Sequence, residues 1–363
     1  MSSSFGHCVK VQIFGCSHGK AIGVVIDGLP TGETVDTEEL TRFMQRRRPG
    51  ASRLTTARNE KDVPEFISGL EDGTLTGSPL CAVIYNSDAR SSSYSEFLDK
   101  PRPSHADFTA LLRYGPKVDM RGSGHFSGRL TAPLCVAGGI AKQILARRGI
   151  EIGAHLLQIE NVKDSPFPLF PDRALFDKVL SHPLPVIDES AAKDMAQAVE
   201  NARMQLDSVG GIIECAVTGL KGGLGTPMFD GVENRLAEVL FGIPAVRGLE
   251  FGAGFKAAEM RGSEHNDPFV MENGTVMTLT NNHGGIIGGI TTGMPVVFRL
   301  AFKPTPSIAR EQRTVSLSQR ENTTLSIKGR HDPCVAIRAV PVVEAAAASV
   351  ILDILMEAEH GPY

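Results

Sequence analysis

Apolar and polar positions alternate from the start of the chain. Residues 8 to 14 (Cys-Val-Lys-Val-Gln-Ile-Phe) and 22 to 27 (Ile-Gly-Val-Val-Ile-Asp) have the period-two pattern of β-strands. The polar stretch between them, Gly15-Cys-Ser-His-Gly-Lys20, is therefore expected at the end of a hairpin. Helical spacing follows: Asp36 with Glu39 resembles a capping box, Leu40, Phe43 and Met44 share a face, and Pro49-Gly50 is a stop. Residues 80 to 86 read as a strand and 133 to 148 as a helix ending at Gly149. Residues 164 to 188 carry Pro166, Pro168, Pro171, Pro183 and Pro185, the composition of an ordered surface excursion or a linker. Beyond it the pattern predicts a helix over 190–206, a strand over 211–220 and, from the Asp230/Glu233 signature, a helix to about 241. Residues 342 to 358 form the clearest helix, apolar enough to be buried or to pack against another subunit. Mixed strands and helices make the class α/β or α+β. The segment leading from Arg129 through Pro133 into a helix and the one leading from Arg338 through Pro341 into another look loosely alike, as an internal duplication would leave them.

Composition narrows the function. The 363 residues are 42% apolar, enough for a large core, and 37 Lys plus Arg against 41 Asp plus Glu give a net charge of -4. No global cationic excess points to nucleic acid or an acidic membrane surface, so any basic site is local. No signal-peptide pattern opens the chain and no apolar run reads as a membrane span, which makes the cytoplasm the expected location. The 6 cysteines lie at least eight residues apart, neither a disulfide framework nor a metal knuckle.

Glycine clusters beside cations carry the chemistry. Gly15-Cys-Ser-His-Gly-Lys20 has the wrong glycine spacing for a phosphate-binding NTPase loop, and Ala21 stands where that loop needs a hydroxyl for magnesium. Cys16 and His18 lack an orienting third group for thiol catalysis, whereas His18 in a strand-connecting loop suits a general acid. From Arg46 to Arg58 there are five arginines in thirteen residues, among Gly, Ser and Thr, and forked guanidinium donors there can surround phosphate or carboxylate oxygens. Further clusters are Arg102-Pro-Ser-His-Ala-Asp107, Arg121 through Thr131, Asn281 through Gly293 into Lys303-Pro-Thr-Pro-Ser307, and Lys328 through Cys334 near Arg338. Together they offer the cations, hydroxyls and close backbone approach that an extended anionic ligand requires. Gly222-Gly-Leu-Gly225 lacks the dinucleotide spacing, and the polar loop Arg261–Asp267 lacks a zinc pattern and reads as structural.

As a set, and in this order along nearly the whole chain, these motifs resemble the chorismate synthase family. The resemblance implies a single domain over 1–363, with a helical core between two antiparallel sheets, assembled as a homotetramer. It implies a carbon–oxygen lyase of the shikimate pathway. That reaction is the 1,4-anti elimination of phosphate from 5-enolpyruvylshikimate 3-phosphate, a small-molecule substrate, to give chorismate with reduced FMN (FMNH2), NADPH being a candidate reductant. By matching positions, His18 protonates the departing phosphate, His105 protonates reduced flavin, and Asp332 assists removal of the ring proton. Arg47, Arg53, Arg129 and Arg338 would bind substrate or NADPH. The flavin would meet His125, Phe126, Ser127, Pro244, Ala245, Gly288, Lys303, Pro304, Thr305, Pro306, Ser307 and Arg330. Cys16, Ser104, His125-Phe126, Gly128, Leu130 and His283 depart from the family's usual residues there.

Two other classes compete. A flavin- or nucleotide-holding homologue without turnover is disfavoured because His18, His105, Arg330 and Asp332 are all present. A nucleic-acid module is disfavoured by the net charge and by only 6% aromatic residues for stacking.

Overall fold

The computed structural model describes residues 3–50, 54–56, 60–87, 95–327 and 331–360. Two five-stranded antiparallel sheets enclose a layer of helices. In the first sheet the order is Ser4–Phe5, Lys10–Gly15, Ala21–Asp27, Leu80–Tyr85, Glu65–Ser68; in the second it is Val246–Phe251, Val296–Phe302, Gly211–Thr218, Glu151–Ile159, Val162–Lys163. The class is α+β, and the hairpin expected around Gly15–Lys20 is present, with Phe14 opposite Gly23.

Two helices dominate the middle layer, Thr131–Arg147 and Ala336–His360. They cross closely because a Cβ on Gly138 would lie 2.2 Å from the Ala345 Cα, leaving no room for a side chain. The stretch Ala345–Ala348 is wholly buried, so small residues set the approach and dispersion between backbones holds it. The helix Thr37–Arg47 packs on the same pair. Its Asp36 cap accepts from the backbone amides of Glu38 and Glu39, which satisfies donors the first turn would otherwise leave open.

The C-terminal helix begins earlier than its pattern predicts, at Ala336, and carries Pro341 inside it. Its apolar window reaches membrane-spanning length with mean hydropathy 1.9, contrary to the sequence expectation of no such run, yet that window is entirely buried in this fold. Its polar residues are anchors. Asp353 accepts from the backbone amides of His7, Cys8 and Val9 and pairs with Arg235, while Glu344 pairs with Arg46 and Lys142. Burial would raise the Glu344 carboxyl, but Arg46 and Lys142 bring it down to about 2.

Two expectations need correction. The helix Val232–Phe241 is capped by Gly231 without a side-chain bond, and Asp230 turns toward Arg235 and His7 instead. The proline-bearing excursion contains a helix of its own, Arg173–Ser181, capped by Asp172. Asp164 pins this segment by accepting from the amides of Ile187 and Asp188. Asp164 also lies 3.0 Å from His155 Nδ1, while Glu214 lies 3.1 Å from Nε2; the ring is 0% exposed.

Burial alone would lower the His155 pKa, but Asp164 and Glu214 raise it above its ordinary value. The imidazolium's contribution to stability is therefore full below the unfolded value near 6.5 and is lost as pH rises through the raised folded value. The two carboxylates are lowered, so theirs is present above their ordinary range and lost as pH falls through the folded values. Replacing His155 with Leu would leave two buried carboxylates without the charge between them, a loss of about 3–5 kcal/mol. Thermal unfolding checks it: an unchanged melting temperature would show that the cluster contributes nothing.

Candidate active site

One cavity of about 730 Å³ opens where the first sheet's loops meet the ends of the two central helices. The loop after strand Lys10–Gly15 brings His18. The turn Arg121–Phe126, with Gly122, Ser123 and Gly124 all at positive φ, folds under it. Gly122 is required there by space as well as by φ, since a Cβ would lie 1.7 Å from His18 Nδ1. The Gly124 carbonyl accepts from Ser17 N at 3.1 Å, tying the two loops together.

Cations dominate the lining: Arg47, Arg102, Arg129, Arg247, Lys303 and Arg338 face a space to which, among the described residues, Asp332 is the sole carboxylate contributor. The two look-alike lead-ins each deliver an arginine here, Arg129 and Arg338. Arg129 pairs with Asp62 and donates to Asn86 Oδ1 at 3.0 Å, and Glu60 lies 3.9 Å from its Nη2. Arg47 is 1% exposed, with Nη1 3.5 Å from Asp62. Arg47 Nε and Nη2, and Arg129 Nη2, are buried with no hydrogen-bond partner among the described residues. Such donors call for an anion from outside the chain. Burial lowers the Arg47 pKa to about 10, with Asp62 opposing and Arg338 and Arg129 adding to the fall. Arg338 donates to Asp332 at 2.7 Å, and Asp332 also accepts from the Thr56 amide at 2.9 Å.

A second group surrounds His105. Arg102 forks onto Asp107 with bonds of 2.7 Å each, and reaches Ser307 and Ser123. His105 Nδ1 lies 3.0 Å from Asp107 and Nε2 3.1 Å from Ser123 Oγ. Burial would raise the Asp107 carboxyl, but Arg102 and His105 hold it well below the usual carboxylate range. Burial lowers the His105 pKa, Arg102 and Lys303 assist, and Asp107 opposes. His331 is pushed down to about 4 by burial and then by Arg102. His331 is thus neutral near pH 7.

At the far wall stand Phe241, Ile243, Pro244, Ala245 and Val246, and beside them Lys303, Thr305, Pro306 and Ser307. Burial and the neighbouring Arg247 lower the Lys303 pKa, and its Nζ donates to the Ser104 carbonyl. Thr305 Oγ1 is buried without a partner among the described residues.

Of the residues that the resemblance named, His18, His105, Asp332, Arg47, Arg129, Arg338, His125, Phe126, Ser127, Pro244, Ala245, Lys303, Thr305, Pro306 and Ser307 line this cavity. Pro304 is not among its lining residues; it packs against Gly210. Gly288 sits in the turn between Ile286–Ile287 and Ile290–Thr291 and does not line the cavity. Arg53 and Arg330 lie outside the described residues. His125 lines the cavity with both ring nitrogens engaged, Nδ1 with the Gly15 carbonyl at 2.8 Å and Nε2 with Ser3 Oγ at 2.7 Å. Arg46 points away, to Glu344. Sequence reasoning missed Glu60 and Asp62, which stand in a polar run indistinguishable from a solvated loop, and Asn86, which it read only as the last residue of a strand. It also gave no role to Arg102, Asp107, Ser123 and His331, although all lie within quoted motifs.

Comparison with known proteins follows the same lines. A family model described as chorismate synthase matches residues 9–356. The curated chorismate synthase of Korarchaeum cryptofilum is 45% identical over 357 residues, 98% of each chain. That of Thermococcus kodakarensis is 47% identical over 352 residues, 97% of each. A crystal structure of a chorismate synthase superposes with TM-score 0.76 at 25% identity, covering 99% of this chain and 95% of that one.

Proposed function

The chain belongs to the chorismate synthase family, and from that premise we propose how its cavity works. The enzyme is a carbon–oxygen lyase of aromatic amino acid biosynthesis: it eliminates phosphate from 5-enolpyruvylshikimate 3-phosphate to give chorismate, with a flavin cofactor. The reaction breaks one C–O and one C–H bond. Phosphate leaves with the C–O electron pair, the C–H electrons become a new double bond, and nothing is oxidised overall.

The observation that carries the site reading is the set of donors on Arg47 and Arg129 that no described residue satisfies, in a cation-lined cavity. Arg47, Arg129 and Arg338 hold the substrate's phosphate and carboxylates through charge-assisted bonds. His18 donates a proton to the departing phosphate, lowering the charge it must carry. Asp332, fixed by Arg338 and the Thr56 amide, receives the ring proton. His105, its Nδ1 held by Asp107, presents Nε2 beside Ser123 Oγ as the nitrogen that would carry a proton for the flavin.

The apolar wall Phe241–Val246, the cation pair Arg247/Lys303 and the Thr305 hydroxyl, unpaired among the described residues, suit a flat ring system with a phosphate tail. We take the flavin to be FMN, with Lys303 and Thr305 on its phosphate. Bound there, reduced FMN would supply the electron density that assists the departure of phosphate. The six free thiols suit a reducing cytoplasm, and exposed Phe229, Phe255, Phe269 and Met271 support assembly as a homotetramer.

NADPH as reductant is tested in air with FMN and substrate: chorismate formation supports an intrinsic flavin reductase, and product restricted to chemically reduced flavin shows an external electron source. A second expectation concerns pH. Substrate KM should stay within about twofold from pH 7 to 9, because Arg47 keeps its charge throughout that range. A KM that rises steeply between pH 7 and 8 would mean that a histidine, not Arg47, supplies the charge.

A further inference from the structure

Asn86 follows strand Leu80–Tyr85 directly and faces two parts of the site at once. Its Nδ2 donates to the Gly19 carbonyl at 2.9 Å and to the Cys16 carbonyl at 3.2 Å, gripping the loop on both sides of His18. Its Oδ1 accepts from Arg129 Nε at 3.0 Å. Its backbone amide donates to Lys20 O at 3.2 Å, so the far end of the loop is held by the same residue. The amide orientation is fixed by chemistry: two carbonyls require the NH₂ end and a guanidinium requires the oxygen. The next residue, Ser87, donates from both its amide and hydroxyl to Glu60, which in turn faces Arg129. No other standard side chain of this length presents two donors and one acceptor in that fork.

We propose that Asn86 is a positioning residue that sets His18 in register with the anion held by Arg129. The inference rests on the reading of His18 as proton donor. An anion on Arg129 Nη2 orders the guanidinium, Nε orders the Asn86 amide, and the amide orders the Cys16–Gly19 turn. A displacement of His18 by about 1 Å can cost on the order of 100-fold in rate without touching the substrate contacts.

The test is steady-state kinetics on the full-length holoenzyme with Asn86→Ala, Asn86→Gln, His18→Ala and the Asn86→Ala/His18→Ala double variant. Asn86→Ala should lower kcat roughly 10- to 100-fold with KM within about threefold. The double variant should be no slower than His18→Ala alone, because a proton donor already absent cannot be misplaced. Asn86→Gln, which retains both functional groups, should recover part of the loss. Additive losses in the double variant, or a raised KM with unchanged kcat, would overturn the proposal. Should Asn86→Ala fail to fold, Asn86→Gln carries the same cycle with His18→Ala. Full activity in His18→Ala would overturn the proton-donor reading, and the proposal with it; impaired His18→Ala beside unimpaired Asn86→Ala would overturn the proposal alone.

Discussion

Replacing His18 with alanine should lower turnover about 100- to 10,000-fold, with substrate KM changed by a few-fold and flavin affinity unchanged. Phosphate is a poor leaving group when it departs fully charged, and His18 lines the same cavity as the arginine cluster. The loop itself should survive the change, because Asn86 and the Ser17–Gly124 bond hold it through backbone groups. His18 lines the cavity, so removing its ring enlarges that cavity and opens no void in the apolar core. Stopped-flow appearance of chorismate under anaerobic conditions reads the effect. Turnover equal to wild type would show that water or another side chain protonates the phosphate.

Arg47→Met separates binding from folding more sharply. Arg47 is a fully buried guanidinium with two nitrogens unpaired among the described residues, an arrangement that burdens the empty protein. Methionine of similar length removes that burden but also takes away the cation that faces Asp62 Oδ2, while Arg129 stays on Oδ1. The two effects on the fold oppose each other, so the melting temperature should move by only a few degrees. Two charge-assisted bonds to the substrate, about 1.5–3 kcal/mol each, should disappear, lowering kcat/KM roughly 100- to 10,000-fold. Lost stability with intact kcat/KM would mark Arg47 as structural.

The two lines of evidence meet unevenly along the chain. The hairpin of Lys10–Gly15 and Ala21–Asp27 was legible because period-two burial is written in the residues themselves, and Asp36 because a cap is a local bond. Asp230 misled for the complementary reason: its carboxylate is drawn to Arg235 and His7, the second of which lies far off in sequence. The arginine run shows the same limit. Arg46 and Arg47 are adjacent letters, but a helix turns about 100° between them, sending one to Glu344 in the core and the other into the cavity. Glu60 and Asp62 carry no sequence signal, because a buried counter-ion is defined by the cation that faces it. The overall architecture followed from the resemblance that ordered motifs carry along the whole chain, and most of the residues that resemblance named line one cavity. Their partners required three dimensions.

The most direct test supplies the purified protein anaerobically with 5-enolpyruvylshikimate 3-phosphate and chemically reduced FMN, and follows chorismate, phosphate and flavin absorbance together. Chorismate and phosphate appearing in a one-to-one ratio, over many turnovers and with no net oxidation of the flavin, is the predicted result. Flavin bound but no phosphate released, or phosphate released with flavin oxidised in step, would contradict a cavity built for redox-neutral elimination.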